Sequence, residues 1–129
     1  LEELAEYIIT SLGEDPTILY THFASNKISL HIDQVKTLGL IINECLTNAV
    51  KYAFTDKQDK RIDISLRLNN NTYTVVIQDN GKGMSKDIAN IKRSGLYLVE
   101  QLCEELDGVY TIDSDNGTRI TIVFQGVMP

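Results

Sequence analysis

The sequence RIDISLRLNNNTYTVVIQ, residues 61–78, predicts an antiparallel hairpin around which the rest of the chain can be ordered. Residues 61–68 alternate apolar and polar side chains, which is the pattern of a strand with one buried and one wet face. Three asparagines at 69–71 mark the turn, and residues 72–78 return as a more apolar strand. The hairpin therefore suits an antiparallel sheet that is covered on one face and solvated on the other.

Helical periodicity flanks this hairpin on both sides. Apolar residues recur at i, i+3 and i+4 along residues 1–12 and again along a longer segment after Asp33, which we expect to be the N-cap. This long helix is predicted to run to about Phe54. A third helix is predicted at 95–106, closing near Gly108.

Two further hairpins are predicted from short β-rich segments. The first joins residues 18–24 to 27–32, and the last joins 109–113 to 118–124. The order is helix then hairpin, three times. It predicts an α+β two-layer sandwich, in which a mixed, mostly antiparallel sheet is covered by about three helices.

Length and composition predict one globular domain, residues 1–129. The chain has 129 residues, 43% of them apolar and 23% charged, with a net charge of −6. The negative charge argues against nucleic acid or a direct membrane contact, and no apolar run approaches the roughly 20 residues that span a bilayer. Cys45 and Cys103 lie in apolar helical patterns and are expected to be reduced core thiols. Because Leu1 lies inside a helical pattern, we expect an excised domain of a longer protein.

Polar residues interrupt the apolar pattern of the long helix. Glu44, Asn48 and Lys51 are spaced to share one helical face. An amide oxygen at Asn48 could coordinate Mg²⁺, and Lys51 could neutralise phosphate charge. Glu44 could order a metal-bound water or accept a proton. The alternative is a solvent-facing stripe with an amide–carboxylate hydrogen bond, and the helix alone leaves both open.

A glycine-containing loop follows the second strand of the hairpin. In DNGKGM, residues 79–84, Asp79 stands at the strand end and can accept a hydrogen bond from an exocyclic amine such as that of adenine. Gly81 and Gly83 permit positive φ and close approach of a ligand to the backbone. By itself this segment is more typical of an ordinary turn.

Two more segments fit a ligand site. Residues 94–96 open the third helix, whose N-terminal amides and dipole favour an anion. Residues 116–118 form a hairpin turn whose Thr118 could supply a hydroxyl group to a nearby polar site.

Together these segments resemble four sequence boxes in the order and spacing of one ATP-binding superfamily. NECLTNAVKYAF (43–54) resembles the N box, DNGKGM (79–84) the G1 box, SGLYLV (94–99) the G2 box and NGT (116–118) the GT of the last hairpin. The superfamily includes gyrase, Hsp90, histidine kinases and MutL, and the resemblance implies its Bergerat ATP-binding fold. Residues 38–54 are most similar to the catalytic domain of sensor histidine kinases, in the HisKA_2 or HWE-like subgroup with a short ATP lid.

The resemblance implies a role for each matching residue. Asn48 would coordinate a Mg²⁺ ion that bridges the ATP phosphates, Lys51 would contact phosphate, and Glu44 would assist a metal-bound water or the phosphoacceptor. Asp79 would bind the adenine amine, supported by Thr118 through water. The implied nucleotide-binding positions are Asn48, Lys51, Asp79, Gly81, Gly83, Met84, Gly95, Leu96 and Thr118.

The same resemblance implies partners for the domain. A histidine kinase transfers the ATP γ-phosphoryl group to a histidine of a separate dimerisation domain, which we expect upstream of Leu1. His22 and His31 are expected to be ordinary structural histidines. A response-regulator receiver domain would meet the full-length kinase, whose catalytic domain is expected in the cytoplasm even if the parent is membrane-anchored. Alone, the fragment should bind Mg-ATP without autophosphorylation.

The sequence departs from the superfamily pattern in the G2 box and the lid. Gly95 is the only glycine of the G2 box, and the segment between 84 and 94 contains no phenylalanine, so ATP binding is expected to be weaker. Two alternatives stay open: a serine kinase of the anti-sigma-factor type, which shares the spacing of Glu44 and Asn48, and a degenerate protein-binding domain. A gyrase-like ATPase fits less well, because the long lid and second domain are missing.

Overall fold

The computed structural model describes residues 2–23, 30–53, 59–81, 96–113 and 117–126. Within these residues three helices lie over a five-stranded sheet, which confirms the α+β two-layer sandwich. A 3₁₀ turn precedes β1, and a π-helical turn follows the second helix. The elements are α1 Glu2–Ser11, β1 Leu19–Phe23, α2 Ile32–Asn48, β2 Ile62–Asn69, β3 Thr72–Asp79, α3 Leu96–Glu105, β4 Val109–Asp113 and β5 Arg119–Gln125.

The strand order is β1-β2-β3-β5-β4, and β1 pairs with β2 in parallel register while the other pairs are antiparallel. Among the described residues β1 thus pairs with β2 and not with the second segment of the predicted first hairpin. Of its second segment, residues 27–29 lie outside the described residues, and Ile32 already begins α2. A parallel pair needs a long crossover, and α2 supplies it. A short β-rich pattern marks a strand but does not reveal which strand it pairs with.

The β2–β3 hairpin forms as predicted, with its register running from Ile62 opposite Asp79 to Asn69 opposite Thr72. Asn70 and Asn71 have φ values of 50° and 66°, so both turn residues are left-handed, as a type I′ hairpin requires. Asparagine tolerates this conformation better than most residues with a side chain. The three-asparagine segment thus fixes the turn.

The last hairpin also forms as predicted, and it places β5 between β3 and β4. Alternate residues of the three inner strands point toward the helices. Tyr73 and Phe124 face each other across β3 and β5, with stacked rings whose centroids are 5.3 Å apart. Both cysteines are free and buried, in agreement with the expected core thiols. The largest fully buried side chains are Ile9, Leu38, Ile41, Ile42, Leu46, Ile62, Ile64, Leu66, Tyr73, Val75, Ile122 and Phe124.

The N-cap of α2 is His31 rather than the predicted Asp33. The His31 Nδ1 accepts a hydrogen bond from the Asp33 amide at 3.2 Å, and the Gln34 side chain accepts one from the His31 amide at 3.1 Å. Asp33 lies instead in the first turn, where a carboxylate complements the helix dipole. Gln34 also donates to the carbonyl oxygen of Gln125 at 3.0 Å, which ties the start of α2 to the end of β5.

The end of α3 is also tied to the end of β5. The helix closes near Gly108 as predicted, although the left-handed residue is Asp107, with φ of 53°. Gly108 is needed for another reason, since a Cβ atom there would lie 2.8 Å from the carbonyl oxygen of Val123. The chain can pass this close to β5 only without a side chain.

These two attachments fix the direction of the helices relative to the sheet. Because α2 begins and α3 ends beside the end of β5, the helices run antiparallel, and Thr37 Oγ1 of α2 lies 3.5 Å from Glu105 Oε2 of α3. A helix of 17 residues rises roughly 25 Å, about the length of the sheet. The end of α2, the start of α3, the end of β3 and the start of β5 therefore meet at the opposite edge.

Candidate functional site

Asp79 is the central group at this edge of the sheet. It is the last residue of β3, and only 9% of its surface is exposed. Its Oδ1 atom accepts hydrogen bonds from the amides of Gly81 at 2.9 Å and Thr118 at 3.2 Å. Burial raises the pKa of the Asp79 carboxyl group, while these two amides act in the opposite direction. The site therefore holds a carboxylate at a cost in desolvation that the two amides offset only in part.

The main chain at the start of β5 lies in close contact with the end of β3. Gly117 has φ of 109°, and a Cβ atom there would lie 2.1 Å from the carbonyl oxygen of Asp79. The Thr118 carbonyl oxygen accepts a hydrogen bond from the Asp79 amide at 3.0 Å, while the Thr118 amide donates to the Asp79 carboxylate. The sequence suggested the Thr118 hydroxyl group as support for Asp79, whereas the contacts in the structure are made by its main chain. Of the NGT segment, Gly117 and Thr118 thus lie beside Asp79.

Asn80 is a residue of the site that the sequence analysis missed. Its side chain accepts a hydrogen bond from the Arg61 amide at 2.7 Å and donates one to the Asp59 carbonyl oxygen at 2.8 Å. Its own amide donates to the Arg61 carbonyl oxygen at 3.1 Å. Asparagine directly after a strand is a known turn signal, but its partners lie 19 and 21 residues earlier, so the pattern could not name them.

The last turns of α2 lie beside Asp79. The Cys45 thiol is buried, and its pKa is raised to about 12 by burial and by the nearby carboxylates of Glu44 and Asp79. One turn from Glu44, the Nδ2 atom of Asn48 is buried and has no hydrogen-bond partner among the described residues. Buried amides without a partner are rare in native proteins and call for an explanation. Asn48 thus has an unmet polar requirement at the same edge as Asp79.

A π-helical turn, Ala49–Ala53, begins directly after Asn48. The predicted helix to Phe54 is therefore not uniform, since α geometry ends at Asn48, and Phe54 lies outside the described residues. The Ala49 amide donates to the carbonyl oxygens of both Cys45 and Leu46, four and three residues earlier, directly where the π turn begins. Single π turns occur frequently at functional sites. Periodicity of apolar residues cannot distinguish such a local widening from a regular helix.

The π turn changes the placement expected for Lys51. Its predicted position beside Asn48 assumed α-helical spacing, which the wider turn does not keep. The Lys51 side chain is exposed, while Glu44 is half-buried. Within the described ranges, neither side chain has a hydrogen bond or an ion pair in the structure. Glu44 lies one helical turn before Asn48 in α2. A contact between Lys51 and phosphate stays a prediction.

The remaining predicted positions belong to the glycine-containing loop and the start of α3. Gly83, Met84 and Gly95 lie outside the described residues. Leu96 is described as the first residue of α3, so the helix start lies at the edge where α2 ends. The described part of the predicted site thus comprises Glu44, Asn48, Lys51, Asp79, Gly81, Thr118 and the backbone of Leu96.

The described donor groups fit a magnesium ion carried by a nucleotide better than a protein-held metal centre. Among the described residues no group of three or more histidine, cysteine or acidic side chains could hold a metal ion. Mg²⁺ usually keeps several waters and takes one or two protein oxygens plus substrate phosphates. Asn48 offers an amide oxygen, and its buried Nδ2 atom still needs an acceptor such as a phosphate oxygen. At the other side of the site, the buried Asp79 carboxylate can accept a hydrogen bond from an amine.

None of the helices in the described part of the chain has the length and apolar character needed to cross a membrane.

The fold is similar to that of a solved kinase structure. The Erythrobacter litoralis EL346 blue-light activated histidine kinase matches with a TM-score of 0.80 and 21% sequence identity. The match covers 95% of this chain and 39% of that chain. At this identity the likeness establishes the shared fold.

Two curated relatives illustrate the range of similar sequences. The probable C4-dicarboxylate sensor kinase of Bacillus subtilis is 29% identical over 110 residues, covering 73% of this chain and 20% of the relative. The serine-protein kinase RsbW of Oceanobacillus iheyensis is 28% identical over 83 residues, covering 64% of this chain and 51% of the relative. The chain therefore spans between a fifth and about half of the length of these relatives.

A family-level comparison covers most of the chain. The sequence model of the histidine kinase-, DNA gyrase B- and HSP90-like ATPases matches residues 33–127, from the first turn of α2 to beyond β5. That range contains Asn48, Asp79 and Thr118, and membership in an ATPase family implies ATP as the ligand. This chain belongs to the histidine kinase-, DNA gyrase B- and HSP90-like ATPase family.

Proposed function

We propose that residues 1–129 are the catalytic domain of a sensor histidine kinase, which binds Mg-ATP and supplies the γ-phosphoryl group to a histidine of a separate dimerisation domain. The observation that carries this proposal is the buried Asp79 carboxylate, held by two main-chain amides at the same edge of the sheet as the unpartnered Asn48 amide. A buried carboxylate with a raised pKa destabilises the fold at neutral pH, so it is better explained by a ligand than by stability.

The adenine end of the proposed site is built from β3 and β5. Both amide bonds to the Asp79 carboxylate in the described structure fall on Oδ1, which fixes its plane. A carboxylate oriented in this way accepts a hydrogen bond from the adenine amine and disfavours guanine, which presents a carbonyl oxygen at the corresponding position. We propose that Gly81 and Gly83 leave room for the base, with Met84 beside it.

The phosphate end is built from α2 and the start of α3. Asn48 would hold Mg²⁺, which when bound neutralises charge on the phosphates during phosphoryl transfer. Its Nδ2 atom would gain an acceptor in a phosphate oxygen. Gly95 and the amides at the start of α3, near Leu96, would face the phosphates, with Lys51 adding a positive charge. Glu44 would accept the proton that the phosphoacceptor loses.

The phosphoacceptor is proposed to lie on another domain. In the transfer, a bond forms between an imidazole nitrogen and the γ-phosphorus, the bond to the bridging oxygen breaks, and ADP leaves with that electron pair. The chain's own histidines suit structural roles, because His31 caps α2 and His22 lies in β1. A response-regulator receiver domain would then accept the phosphoryl group. The use of ATP assigns the proposed activity to the cytoplasm.

The proposed subgroup is the HisKA_2 or HWE-like kinases. Support comes from the Asn43-Glu44 pair that opens the N box and from the short segment between Met84 and Gly95. Fewer lid residues mean fewer contacts to the phosphates, so we expect weaker ATP binding than in kinases with a long lid.

Thermal unfolding with and without nucleotide tests the proposal most directly. A ligand at 100 times its dissociation constant adds about 2.7 kcal/mol to the free energy of unfolding, which corresponds to a shift of several degrees. We expect this shift with Mg-ATP and Mg-ADP, and we expect it to require Mg²⁺ in the parent protein. The Asn48→Ala variant should lose the Mg²⁺ dependence. The absence of any shift at millimolar nucleotide would contradict the proposal and favour a protein-binding module.

A serine kinase of the anti-sigma-factor type is the second candidate, favoured by the similarity to the serine-protein kinase RsbW. The two candidates differ in the phosphorylated product. Mixing the domain with a phosphoacceptor-helix fragment and with a small serine-containing antagonist, followed by acid treatment, separates them. Acid-labile phosphate on the helix fragment supports the histidine kinase, whereas acid-stable phosphate on the antagonist supports the serine kinase.

A further inference from the structure

Residues 59–61, here called the strap, lead into β2 beside the end of β3. The Asn80 side chain bonds the strap twice, at the Asp59 carbonyl oxygen and the Arg61 amide, and its main-chain amide bonds the Arg61 carbonyl oxygen. Both ends of the Asn80 side-chain amide are therefore used. Such a fully satisfied polar group fixes the relative position of the two segments it joins.

The strap is also attached on its other side. The Lys60 ammonium forms an ion pair with Glu14, just after α1, with both side chains at most a quarter exposed. The Arg61 guanidinium lies 3.9 Å from the ring centroid of Tyr20 in β1 and forms two hydrogen bonds with Asp63, at 2.9 and 3.1 Å. Because each strap residue has a fixed partner, the strap can serve as a rigid support for Asn80.

Asp79 lies between two such attachments. Its carboxylate and main chain are bonded to Thr118 on the β5 side, and Asn80 bonds the strap on the β2 side. The carboxylate plane follows the backbone of residues 79–81, because its second amide partner is Gly81. Release of the strap would let this backbone rotate about the remaining contact with β5.

We infer that Asn80 is a positioning residue for nucleotide binding, which holds the Asp79 carboxylate in the plane that recognises the adenine amine by bonding the strap to the end of β3. The inference rests on the proposed function. It assigns Asn80 no contact with the nucleotide. Its effect should therefore appear in base selectivity and should depend on Asp79.

Asn71 provides a matched control at the other end of the same hairpin. Its side-chain Nδ2 atom donates to the Gly126 carbonyl oxygen at 3.1 Å, and its main-chain carbonyl oxygen accepts from the Gly126 amide at 2.8 Å. It therefore also ties a hairpin end to another segment, far from Asp79. Asn71→Ala should destabilise the protein without changing nucleotide binding.

The experiment measures affinities for Mg-ATP and Mg-GTP by calorimetry at a temperature where circular dichroism shows every variant folded. We expect Asn80→Ala to bind Mg-ATP about tenfold more weakly and to lose most of the preference for ATP over GTP. The variant loses the two side-chain hydrogen bonds to the strap, and a loss of this size is typical of such bonds. Asn71→Ala should keep the parent's affinities while its Tm falls.

A double-mutant cycle then tests whether Asn80 acts through Asp79. In an Asp79→Asn background, Asn80→Ala should cause little further change in the ATP:GTP ratio, because the recognition that it supports is already lost. An Asn80→Ala protein that keeps the parent's preference for ATP, or a fully additive cycle, overturns the inference alone. A parent that binds neither nucleotide overturns the proposed function and the inference together.

Discussion

The two ends of the β2–β3 hairpin are both attached to β5, but by different kinds of polar contact. At the tip, Asn71 and the residue after β5, Gly126, exchange neutral hydrogen bonds, and Thr72 and Gln125 bond each other through their side chains at 3.0 to 3.3 Å. Beneath them the rings of Tyr73 and Phe124 stack. The polar groups at the tip are hydrogen-bonded, and the tip packs on the aromatic pair Tyr73 and Phe124, as expected for a turn with a structural role.

The other end of the hairpin contains polar groups that the fold does not satisfy fully. Asp79 keeps a buried carboxylate with a raised pKa, and the neighbouring Asn48 has a buried Nδ2 atom without a described partner. A protein selected for stability alone would replace both. The tip is thus arranged for the fold, and the unsatisfied polar groups at the other end support the proposal that a ligand binds there.

The largest expected effect is a difference in destabilisation between alanine variants of Gly117, at the site end, and Gly126, at the tip. Gly117→Ala places a Cβ atom 2.1 Å from the Asp79 backbone oxygen at φ of 109°, so we expect roughly 3–5 kcal/mol of destabilisation. A Cβ atom at Gly126 would lie 2.6 Å from the Asn71 Oδ1 atom, which can move, and 3.0 Å from Cε2 of the buried Tyr73 ring. Since no backbone atom is in the way, we expect Gly126→Ala to cost only about 1–2 kcal/mol. Urea unfolding of both variants measures the difference.

Equal destabilisation by the two alanine variants would mean that the close approach at Gly117 is relieved by movement of the backbone. The end of β3 would then be less firmly held than the hydrogen bonds of Asp79 indicate. A Gly117→Ala protein that remains folded should also bind nucleotide poorly, because its clash lies on Asp79 itself.

The second effect concerns binding at the site end. Asp79→Asn keeps an oxygen for the amides of Gly81 and Thr118 but replaces a charged acceptor, so the preference for ATP over GTP should fall about 10- to 100-fold. Calorimetric titration of both nucleotides provides the measurement. Asp107→Asn makes the same chemical change at an exposed residue that follows α3, at the opposite end of the sheet, and should keep the preference of the parent. Equal affinity of the parent for ATP and GTP would contradict the adenine role of Asp79.

The third effect compares one asparagine from each end. Asn48→Ala removes a buried amide nitrogen that has no partner among the described residues, so the free energy of unfolding should change by less than about 0.5 kcal/mol. Asn71→Ala loses the satisfied side-chain hydrogen bond to the Gly126 carbonyl oxygen and should cost about 1 kcal/mol. Only Asn48→Ala should abolish the Mg²⁺ dependence of nucleotide binding. A large loss of stability in nucleotide-free Asn48→Ala would show that this amide supports the fold.

Most of the fold could be predicted from the sequence, because the spacing of apolar residues shows which face of a helix or strand is buried. The hairpins at 61–79 and 109–125, and the central part of α2, follow from alternation and helical spacing. The pairing of β1 was not readable, since its partner β2 lies across α2 and no local pattern encodes it. His31 was missed as an N-cap because histidine accepts this bond only through Nδ1, and the usual cap residue Asp33 stands two positions later.

The candidate site could be proposed from the sequence where its residues are close together along the chain. Asp79 was proposed from its place at a strand end, at the start of a glycine-containing loop, and the structure places it at the end of β3 with a buried carboxylate. Asn80 was missed because its partners belong to a distant segment, and the π turn that contains Lys51 leaves no mark in the apolar pattern. The roles of Gly83, Met84 and Gly95 stay predictions that rest on the resemblance.

The smallest expected effect is a pH dependence that separates the buried carboxylate from an exposed one. Burial raises the folded-state pKa of Asp79 above its ordinary value, so the folded protein holds this proton more tightly than the unfolded chain does. The stability contributed by the protonated form is fully present below the unfolded-state pKa and is lost as pH rises through the folded-state pKa. The Asp79→Asn variant has no carboxyl proton at this position, so its stability does not fall in this way as pH rises.

The stability of Asp79→Asn relative to the parent should therefore increase as pH rises through the acidic range and should level off above the folded-state pKa. Urea unfolding of the nucleotide-free proteins at a series of pH values measures this difference. Glu6→Gln, which neutralises an exposed carboxylate of α1, is the control and should show no such increase. A flat difference for Asp79→Asn would mean that its two amide bonds offset burial completely, and the site end would then be as well satisfied as the tip.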